Sequence, residues 1–533
     1  MPGSTLFDLN TPIDAFTGDK EPALNSDTLN QLIGELTEFT AQPITILKES
    51  GILYWLTYAM DYAVAQNMSD KIIELGALME VIAKKNPEVC VEMFSKKFLS
   101  GKFKEKTATY LWFDMLYSMT FDASTPHMVN ALIPSFTYLL ESASAKLVPA
   151  LVKKFKETPF SYEDKSALLC IILGLYTASL VVDNGGVTTA IADYLALCVK
   201  KAPGVFSPLL TEKILSGSLE NKDMIYLVAC ALTETAKWSP DTVKAICALL
   251  AEVRDKNVAS FQSSLTRVIE VGPHAGLNTL DLLLTSLVSS LYVQGNKLSV
   301  SFLVNMLASS LLISGADNKS ILEALSTAQD DRKTPNGIMI LVRALTVAMD
   351  RNDSVTEIIN ILSNLVNCDF ALGDAFIQKA TSNIVGFYKK SAIEQVLTLY
   401  TKTNNIDNKV QVLELITYLA ASNYAPQLIL SLADESRTIF INEFAKIYVL
   451  TNAEKELLSA AKQASLPASL SHFPSPRAFI THYCAPTITP TILDVRAASG
   501  GEGPSSSCSV QDKEPEEGPK EEYEPTRSFF IRP

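Results

Sequence analysis

The stretch Asp241-Thr-Val-Lys-Ala-Ile-Cys-Ala-Leu-Leu250 decides the fold class, because its apolar residues follow the three- and four-residue spacing of one helical face. The same apolar positions recur from Asp353 and again from Ser391, and a related segment begins at Asn278. The starting points of these four segments are separated by close to whole multiples of one interval. Their common spacing predicts an internal repeat of about 37 to 38 residues.

A second pair of segments supports a repeat. Ala83-Lys-Lys-Asn-Pro-Glu-Val89 matches Val199-Lys-Lys-Ala-Pro-Gly-Val205, at an offset that is again close to three such periods. From about residue 26 to residue 462, helical patterns alternate with a few Asn, Asp, Ser, Gly or Pro residues, and no convincing strand pattern interrupts them. The sequence therefore predicts an all-α protein built from antiparallel helix pairs.

This succession of helices resembles the armadillo/HEAT class of helical-repeat proteins. The resemblance covers residues 26–465 and concerns the class of fold. It implies a right-handed α-solenoid whose stacked helices present an extended surface to other proteins.

The two ends of the chain differ from this repeat region. Residues 1–25 are predicted to be a flexible amino-terminal segment, and the proline-rich residues 466–496 a cap or linker. Residues 497–533 are rich in Gly, Ser and acids and are predicted to be a disordered acidic tail. The tail ends in an apolar motif that we interpret as a docking element, acting either on this chain or on a partner: Phe529, Phe530, Ile531 and Arg532.

Composition excludes several classes of protein. The chain has 533 residues, 47% of them apolar, so disorder throughout is excluded, and its aromatic content of 8% with 22 Gly argues against an all-β fold. A formal net charge of −13 argues against a globally basic nucleic-acid binder. The amino terminus lacks the pattern of a secretory signal, which predicts a cytoplasmic protein, with the nucleus as the alternative compartment.

Cysteines and long apolar runs favour a buried helical core. The eight cysteines are scattered without a CxxC pair, so they are predicted to be buried thiols and not a disulfide framework or a zinc site. Residues 166–182 run without a charge, but they are too few to be a comfortable membrane span. We interpret them as a helix that is buried on all sides, and we predict no membrane span.

No catalytic or cofactor motif is present. Phosphate-binding glycine loops, HExxH and GxSxG patterns are all missing, and the chain contains only four histidines. His472, His482 and Cys484 fall close together, but without a fourth ligand at fixed spacing they are interpreted as ordinary surface residues. The sequence predicts a protein that is not an enzyme and holds no cofactor or metal.

A basic stretch is the main candidate for a binding surface. In this acidic chain, residues 84–106 carry seven lysines against three glutamates, with Phe98 and Phe103 between them. Stacking of repeats would align further lysine doublets with this stretch, giving a stripe for phosphates or an acidic protein. The alternative is that lysines in a last helical turn only offset the helix dipole. The predicted surface consists of Lys84, Lys85, Lys96, Lys97, Lys102, Lys104, Lys106, Lys153, Lys154, Lys200 and Lys201.

These observations predict a non-catalytic scaffold or adaptor that binds protein partners; they identify neither the partner nor the oligomeric state of the chain. The alternative is a nucleocapsid-type helical protein that coats RNA and self-assembles. Loss of RNA binding on reversing the charge of the lysines would favour the second hypothesis, and loss of a protein partner the first.

Overall fold

The computed structural model describes residues 7–11, 21–119, 126–152, 166–214, 219–270, 274–293, 296–311, 318–326, 336–352, 354–367, 372–379, 390–422, 424–432 and 434–448. Within these ranges the chain forms 23 α-helices, and extended backbone pairs only as isolated bridges. The predicted all-α class is confirmed. The predicted linker 466–496 and tail 497–533 lie outside the described residues.

The chain divides into two compact units, the first ending at Ser310 and the second beginning at Leu311. The helices of the first unit are α1 (Ser26–Thr40), α2 (Ile44–Glu49), α3 (Ile52–Ala65), α4 (Ser69–Lys85), α5 (Pro87–Ser95), α6 (Ala108–Met119), α7 (Pro126–Val152), α8 (Ala167–Ser179), α9 (Gly185–Lys201), α10 (Pro203–Thr211), α11 (Met224–Thr235), α12 (Pro240–Lys256), α13 (Val258–Thr266), α14 (Thr279–Tyr292) and α15 (Lys297–Leu311, whose last residue falls in the second unit). The second unit contains α16 (Lys319–Ser326), α17 (Gly337–Arg351), α18 (Val355–Asn367), α19 (Leu372–Ile377), α20 (Ala392–Lys402), α21 (Ile406–Ala421), α22 (Ala425–Ser431) and α23 (Asp434–Tyr448).

Most helices of the first unit contact the helix that follows three places later in the chain. One row of contacts joins α3, α6, α8, α11 and α14, and a second joins α1, α4, α7, α9 and α12. Helix α7 counts twice, because a kink at Ala143 divides it (φ −141°, ψ 37°). Its first part lies against α4, where Ala131 meets Gly76, and its second part reaches α5 through Lys146 and Glu92. The unit is thus a succession of three helix types. The first row consists of the middle helices and the second row of the third helices, and the short helices between them are α2, α5, the second part of α7, α10 and α13.

The second unit has the same order. The short helices α16, α19 and α22 contact one another in turn, as do the middle helices α17, α20 and α23. The third helices α18 and α21 also pack together. Two independent units thus follow one three-helix pattern.

The side chains that cap six successive middle helices, from α6 to α20, measure the period. In each case a side-chain oxygen accepts a hydrogen bond from the backbone N–H three residues on, which satisfies one of the free donors of the first turn. The capping residues are Thr107, Ser166, Asp223, Asn278, Asn336 and Ser391. Neighbouring caps therefore recur at intervals of about 55 to 59 residues.

This spacing does not match the predicted period of about 37 to 38 residues in helix pairs. The contacts recur every three helices because a short helix, of six to nine residues, stands between each third helix and the next middle helix. The two long offsets found in the sequence, from Asp241 to Asp353 and from Ala83 to Val199, each correspond to two such repeats.

Middle helices form the core. Helix α8 reads Ala-Leu-Leu-Cys-Ile-Ile-Leu-Gly-Leu-Tyr-Thr-Ala-Ser, and all of its side chains but Tyr176 are buried. Apolar residues on every side bury such a helix completely between neighbours. The interpretation of the charge-free stretch as a buried helix is confirmed for residues 167–179, whereas Leu180 and Val182 beyond the helix are exposed. No helix among the described residues has the length and apolar character needed to cross a membrane.

The loop from a short helix to a middle helix has the same backbone frame in three repeats. Phe98, Ile214 and Ile269 each donate a backbone hydrogen bond to the residue just before the cap, over 2.7 to 2.8 Å. The carbonyl oxygen of each of these three residues also accepts a hydrogen bond from the backbone N–H of the residue two places before the cap, over 2.6 to 2.9 Å. Those last residues all have positive φ, and they are Glu105 (67°), Asn221 (62°) and Gly276 (89°).

The five cysteines within the described residues are free and buried, as predicted. Burial raises the pKa of Cys90 to about 12, so this thiol is unreactive at neutral pH. The remaining three, Cys368, Cys484 and Cys508, lie outside the described residues.

Candidate functional site

The structure separates the predicted lysine surface into two groups. Lys84, Lys85, Lys200 and Lys201 lie in the last turns of the third helices α4 and α9. The other described lysines, from Lys96 to Lys106, lie at the far end of the nine-residue helix α5. A helix of that length spans about 14 Å. Lys153, Lys154, Phe529, Phe530, Ile531 and Arg532 lie outside the described residues.

We call residues 96–106 the lysine loop. Its two aromatic side chains point inward, since Phe98 is 1% and Phe103 2% exposed, and both contact the ring of Tyr54 at centroid distances of 5.2 and 5.6 Å. These rings belong to the core and are not available to stack on nucleic-acid bases. Phe98 and Phe103 therefore anchor the lysine loop in the core, while the lysines beside them stay outside.

The lysine loop is braced by groups from earlier in the chain. The Tyr54 hydroxyl donates to the Glu21 carboxylate, and the backbone N–H of Lys102 lies 3.0 Å from the same Glu21 oxygen. The Lys102 ammonium pairs with Asp61. Gly101 permits this approach, because its φ is +72° and a Cβ there would meet Tyr54 and Glu21. None of these bracing groups was singled out from the sequence.

Charge is distributed unevenly over the lysine loop. Lys97 pairs with Glu105 at 3.1 Å and Lys102 with Asp61, so both are partly neutralised. Among the described residues, no carboxylate pairs with Lys96, Lys104 or Lys106, and the first two of these are exposed. Three cationic side chains on a braced backbone therefore form a local positive surface.

Through its glutamates, helix α5 binds two lysines of other helices that the sequence did not associate with this region. Glu92 accepts from Lys48 of α2 and from Lys146 of α7, both at 2.6 Å, and Lys146 also pairs with Glu88 at 3.0 Å. The hydrogen bonds from Lys146 and Lys48 lower the pKa of Glu92 to about 2. Glu88 and Glu92 are thus bridged by Lys48 and Lys146, while Glu21 and Asp61 contribute two carboxylates to the lysine loop. The added charges cancel, so the local excess of positive charge stays that of residues 84–106.

The lysines at the helix ends have structural partners of their own. Lys84 pairs with Glu80 one turn earlier, and Lys85 donates to the carbonyl oxygens of Ala41 and Gln42 at the end of α1. Their position in the last turn also favours them electrostatically. The described lysines of the predicted surface therefore fall into two groups, one at the ends of α4 and α9 and the other in the lysine loop.

Each third helix exposes one face, a feature that the sequence did not predict. The residue at its centre is Ala77 in α4, Pro134 in α7, Asp193 in α9 and Ala248 in α12 within the first unit, and Asn360 in α18 and Glu414 in α21 within the second. Within each unit these residues recur at close to the interval of the caps. The side chains at these six positions are small or polar, but one turn away the same faces also expose Ile73 and Val81 in α4 and Val410 in α21.

A buried ion pair lies between two repeats of the first unit. Asp223 caps α11 and is 1% exposed; it accepts from Arg267, from Ser264 at 2.5 Å and from the backbone N–H of Tyr226 at 2.8 Å. Burial raises the pKa of Asp223 to about 6, while Arg267 and Ser264 oppose that change. Every oxygen of this carboxylate is engaged, so the group stabilises packing and has no free position for a substrate.

No group of three or more His, Cys, Asp or Glu side chains within the described residues is arranged to hold a metal ion. His472, His482 and Cys484 lie outside them. No family model, no curated protein and no solved structure matches the chain.

Proposed function

We propose that the chain is a non-catalytic scaffold or adaptor in which each unit is an α-solenoid of three-helix repeats that binds protein partners. The observation that carries this proposal is the recurrence of short, middle and third helices, with a capping residue before six successive middle helices, from α6 to α20, at a near-constant interval. Repeats of this kind bury a middle helix against neighbours and leave one helix face open, an arrangement suited to extended ligands. The recurrence also supports the resemblance to armadillo/HEAT proteins, with three helices in place of the predicted pairs.

The lysine loop favours an acidic protein segment as the ligand. Lys96, Lys104 and Lys106 are available to carboxylates, while Phe98 and Phe103 are held in the core. Carboxylates in an extended segment meet such ammonium groups without base stacking, whereas single-stranded RNA gains much of its affinity from exposed aromatic rings. The lysine loop therefore fits an acidic peptide better than a strand of RNA.

The experiment compares two fluorescent probes of matched length, a polyglutamate peptide and a polyuridine RNA, by anisotropy at low and high salt. The test variant carries Lys96→Glu, Lys104→Glu and Lys106→Glu, because Lys97 and Lys102 brace the loop and their substitution would disturb it. The matched control carries Lys237→Glu, Lys297→Glu and Lys402→Glu, three exposed lysines elsewhere that give the same change in net charge.

We expect the full-length protein to bind the peptide, the test variant to lose at least about tenfold in affinity, and the control to stay within about twofold. Equal losses in both variants would show a nonspecific charge effect and contradict the proposal. If the native protein and the control variant bind the RNA tightly and only the test variant loses this binding, the coat-protein alternative is favoured.

A further inference from the structure

Helix α3 is the first middle helix of the first unit. Each later middle helix of that unit contacts the middle helix before it, from α6 against α3 to α14 against α11. Helix α1, at the start of the described helices, is a third helix that packs against α3 and α4. Residues 7–11 and 21–25 precede α1, so they stand in the chain where the middle helix of a preceding repeat would stand.

Residues 7–9 cover α3. Phe7 is 1% and Leu9 5% exposed, whereas Asp8 between them is exposed. The Phe7 ring meets the ring of Trp55 edge to face, at a centroid distance of 5.2 Å. The Leu9 N–H donates to the Phe7 carbonyl oxygen at 3.2 Å, so the backbone turns tightly at Asp8. The two apolar side chains are therefore buried, and the acidic one between them stays outside.

Two indole N–H groups show what residues 7–9 replace. In α6, Trp112 donates to the hydroxyl of Thr57 in α3, the preceding middle helix, at 3.0 Å. In α3, Trp55 donates to the Asp8 carbonyl oxygen at 3.2 Å. The acceptor that α6 finds on a neighbouring helix is thus supplied to α3 by a segment of three residues.

Gly51 at the start of α3 makes room for this segment. The six middle helices from α6 to α20 begin with a capping side chain, whereas Gly51 has none and donates its N–H to the Leu9 carbonyl oxygen at 3.0 Å. A Cβ at Gly51 would lie 2.9 Å from the Thr11 carbonyl oxygen and 3.5 Å from that of Asp8. Glycine at a position where Ser, Thr, Asp or Asn is preferred therefore marks a close approach of the backbone.

The aromatic residues of α3 extend the contact to residues 21–25. The rings of Tyr54, Trp55 and Tyr58 lie 5.8 to 6.4 Å apart by their centroids. The Tyr58 hydroxyl donates to the Pro22 carbonyl oxygen at 3.1 Å. Such side chains bury an apolar ring and keep a polar donor for a backbone carbonyl, so this face of α3 suits a segment without helical hydrogen bonds.

We propose that this face of α3 is a peptide-binding groove, with Phe7 and Leu9 of the chain itself as its ligand. The groove selects a short segment whose first and third residues are apolar and whose carbonyl oxygens meet Trp55 and Gly51. The tether to α1 gives residues 7–9 a high effective concentration at the groove, which favours them over a second copy of the chain. The proposal is independent of the lysine loop, because the ligand of the groove is apolar and not acidic.

A peptide added in trans tests the groove on the full-length protein. The variant Phe7→Ala with Leu9→Ala removes the native ligand, and we expect amide exchange in residues 50–56 to rise by about tenfold. A synthetic peptide with the sequence of residues 1–14, added at about 1 mM, should reverse most of this rise. The same peptide carrying both alanines should not reverse it. Mass spectrometry of peptic fragments measures the exchange.

The matched control is Asn10→Ala, since Asn10 is exposed in the same segment. It should leave the exchange rate within about twofold of the native value. If Phe7→Ala with Leu9→Ala behaves like this control, residues 7–9 do not cover α3 and the proposal is overturned. If exchange rises in that variant and neither peptide reverses it, α3 carries no peptide-binding groove and the proposal is equally overturned.

Gly51→Ser tests the groove from the side of α3. Serine caps α8 and α20 and is preferred to glycine at this helix position. Its Cβ would meet the Thr11 carbonyl oxygen, so we expect faster exchange in residues 50–56, which the added peptide does not reverse. Exchange as slow as in the native protein would show that residues 7–11 do not approach Gly51, and would contradict the proposal.

Discussion

The lysine loop and the loop that joins α13 to α14 share one backbone frame but place their charges in opposite environments. In the first, Lys97, Lys102 and their carboxylate partners lie at the surface. Arg267, at the start of the second, reaches a carboxylate that is 1% exposed. The comparison teaches that the repeat fixes the backbone bonds, while the identity of a few side chains decides whether a loop stabilises the core or stays available for binding.

The largest effect should come from the buried pair. Replacing Arg267 by Ala leaves the Asp223 carboxylate buried without its cation, which we expect to cost about 3–5 kcal/mol in free energy of unfolding at pH 7.5. Urea unfolding measures this cost. Because an uncompensated carboxyl takes up a proton, the loss should be smaller at pH 4.5 than at pH 7.5.

A double variant tests the cause of that loss. Arg267→Ala with Asp223→Asn removes both charges and keeps an oxygen that accepts from Tyr226, so it should be more stable than Arg267→Ala alone. Equal stability of the two variants would show that lost packing of the arginine side chain, and not the stranded charge, is responsible.

An intermediate effect should follow from the two glycines. Gly101→Ala and Gly276→Ala each place a side chain at positive φ, which costs about 1–2 kcal/mol. Gly101→Ala should cost more, because its Cβ also displaces Tyr54 and Glu21 from the brace of the lysine loop. Thermal unfolding ranks the two variants.

Gly186→Ala serves as the reference, since this glycine of α9 has helical backbone and open space around it. It should be neutral or stabilising by up to about 1 kcal/mol. A smaller loss for Gly101→Ala than for Gly276→Ala would contradict the brace.

The smallest effect should come from the exposed network of Glu92, which Glu92→Gln removes. The lowered pKa of Glu92 means that its contribution is present above the ordinary value of 4.5 and is lost as the pH falls towards about 2. The free energies of unfolding of the variant and the native protein should therefore be closer at pH 3 or below than at pH 7. Even at pH 7 they should differ only slightly, because water screens the ion pairs. Unfolding curves across this range give the comparison, and a difference that grows on acidification would refute the assignment.

Much of the fold was predictable from helical spacing, and the period was missed for a physical reason. The two long offsets in the sequence compare third helices two repeats apart, α12 with α18 and α4 with α9. The two short offsets, from Asp241 to Asn278 and from Asp353 to Ser391, instead compare a third helix with a middle helix, because both bury apolar residues at the same spacing. Periodicity alone does not separate the helix types, and neither do capping residues, because third helices such as α12 and α21 are also capped by a side chain. The contacts between helices separate them.

The candidate site was predictable only in part. A run of lysines identifies a charged region, but it does not show that Glu92 is bridged by Lys48 and Lys146 from other helices. Nor does it show that Phe98 and Phe103 turn inward, since that depends on Tyr54, which is remote in sequence. Contacts between such distant parts of the chain carry no local sequence signal, and they decide which lysines remain available.

Burial of the middle helices α8, α11 and α14 on almost all sides has a consequence for synthesis of the protein. A helix such as α8 emerges from the ribosome with apolar residues on all sides, and it stays uncovered until the next repeat has been made. At about 5–20 residues per second, a repeat takes roughly 3–12 s to appear. The nascent chain therefore exposes a new apolar helix several times in succession, and we expect each one to be prone to aggregation until the next repeat covers it.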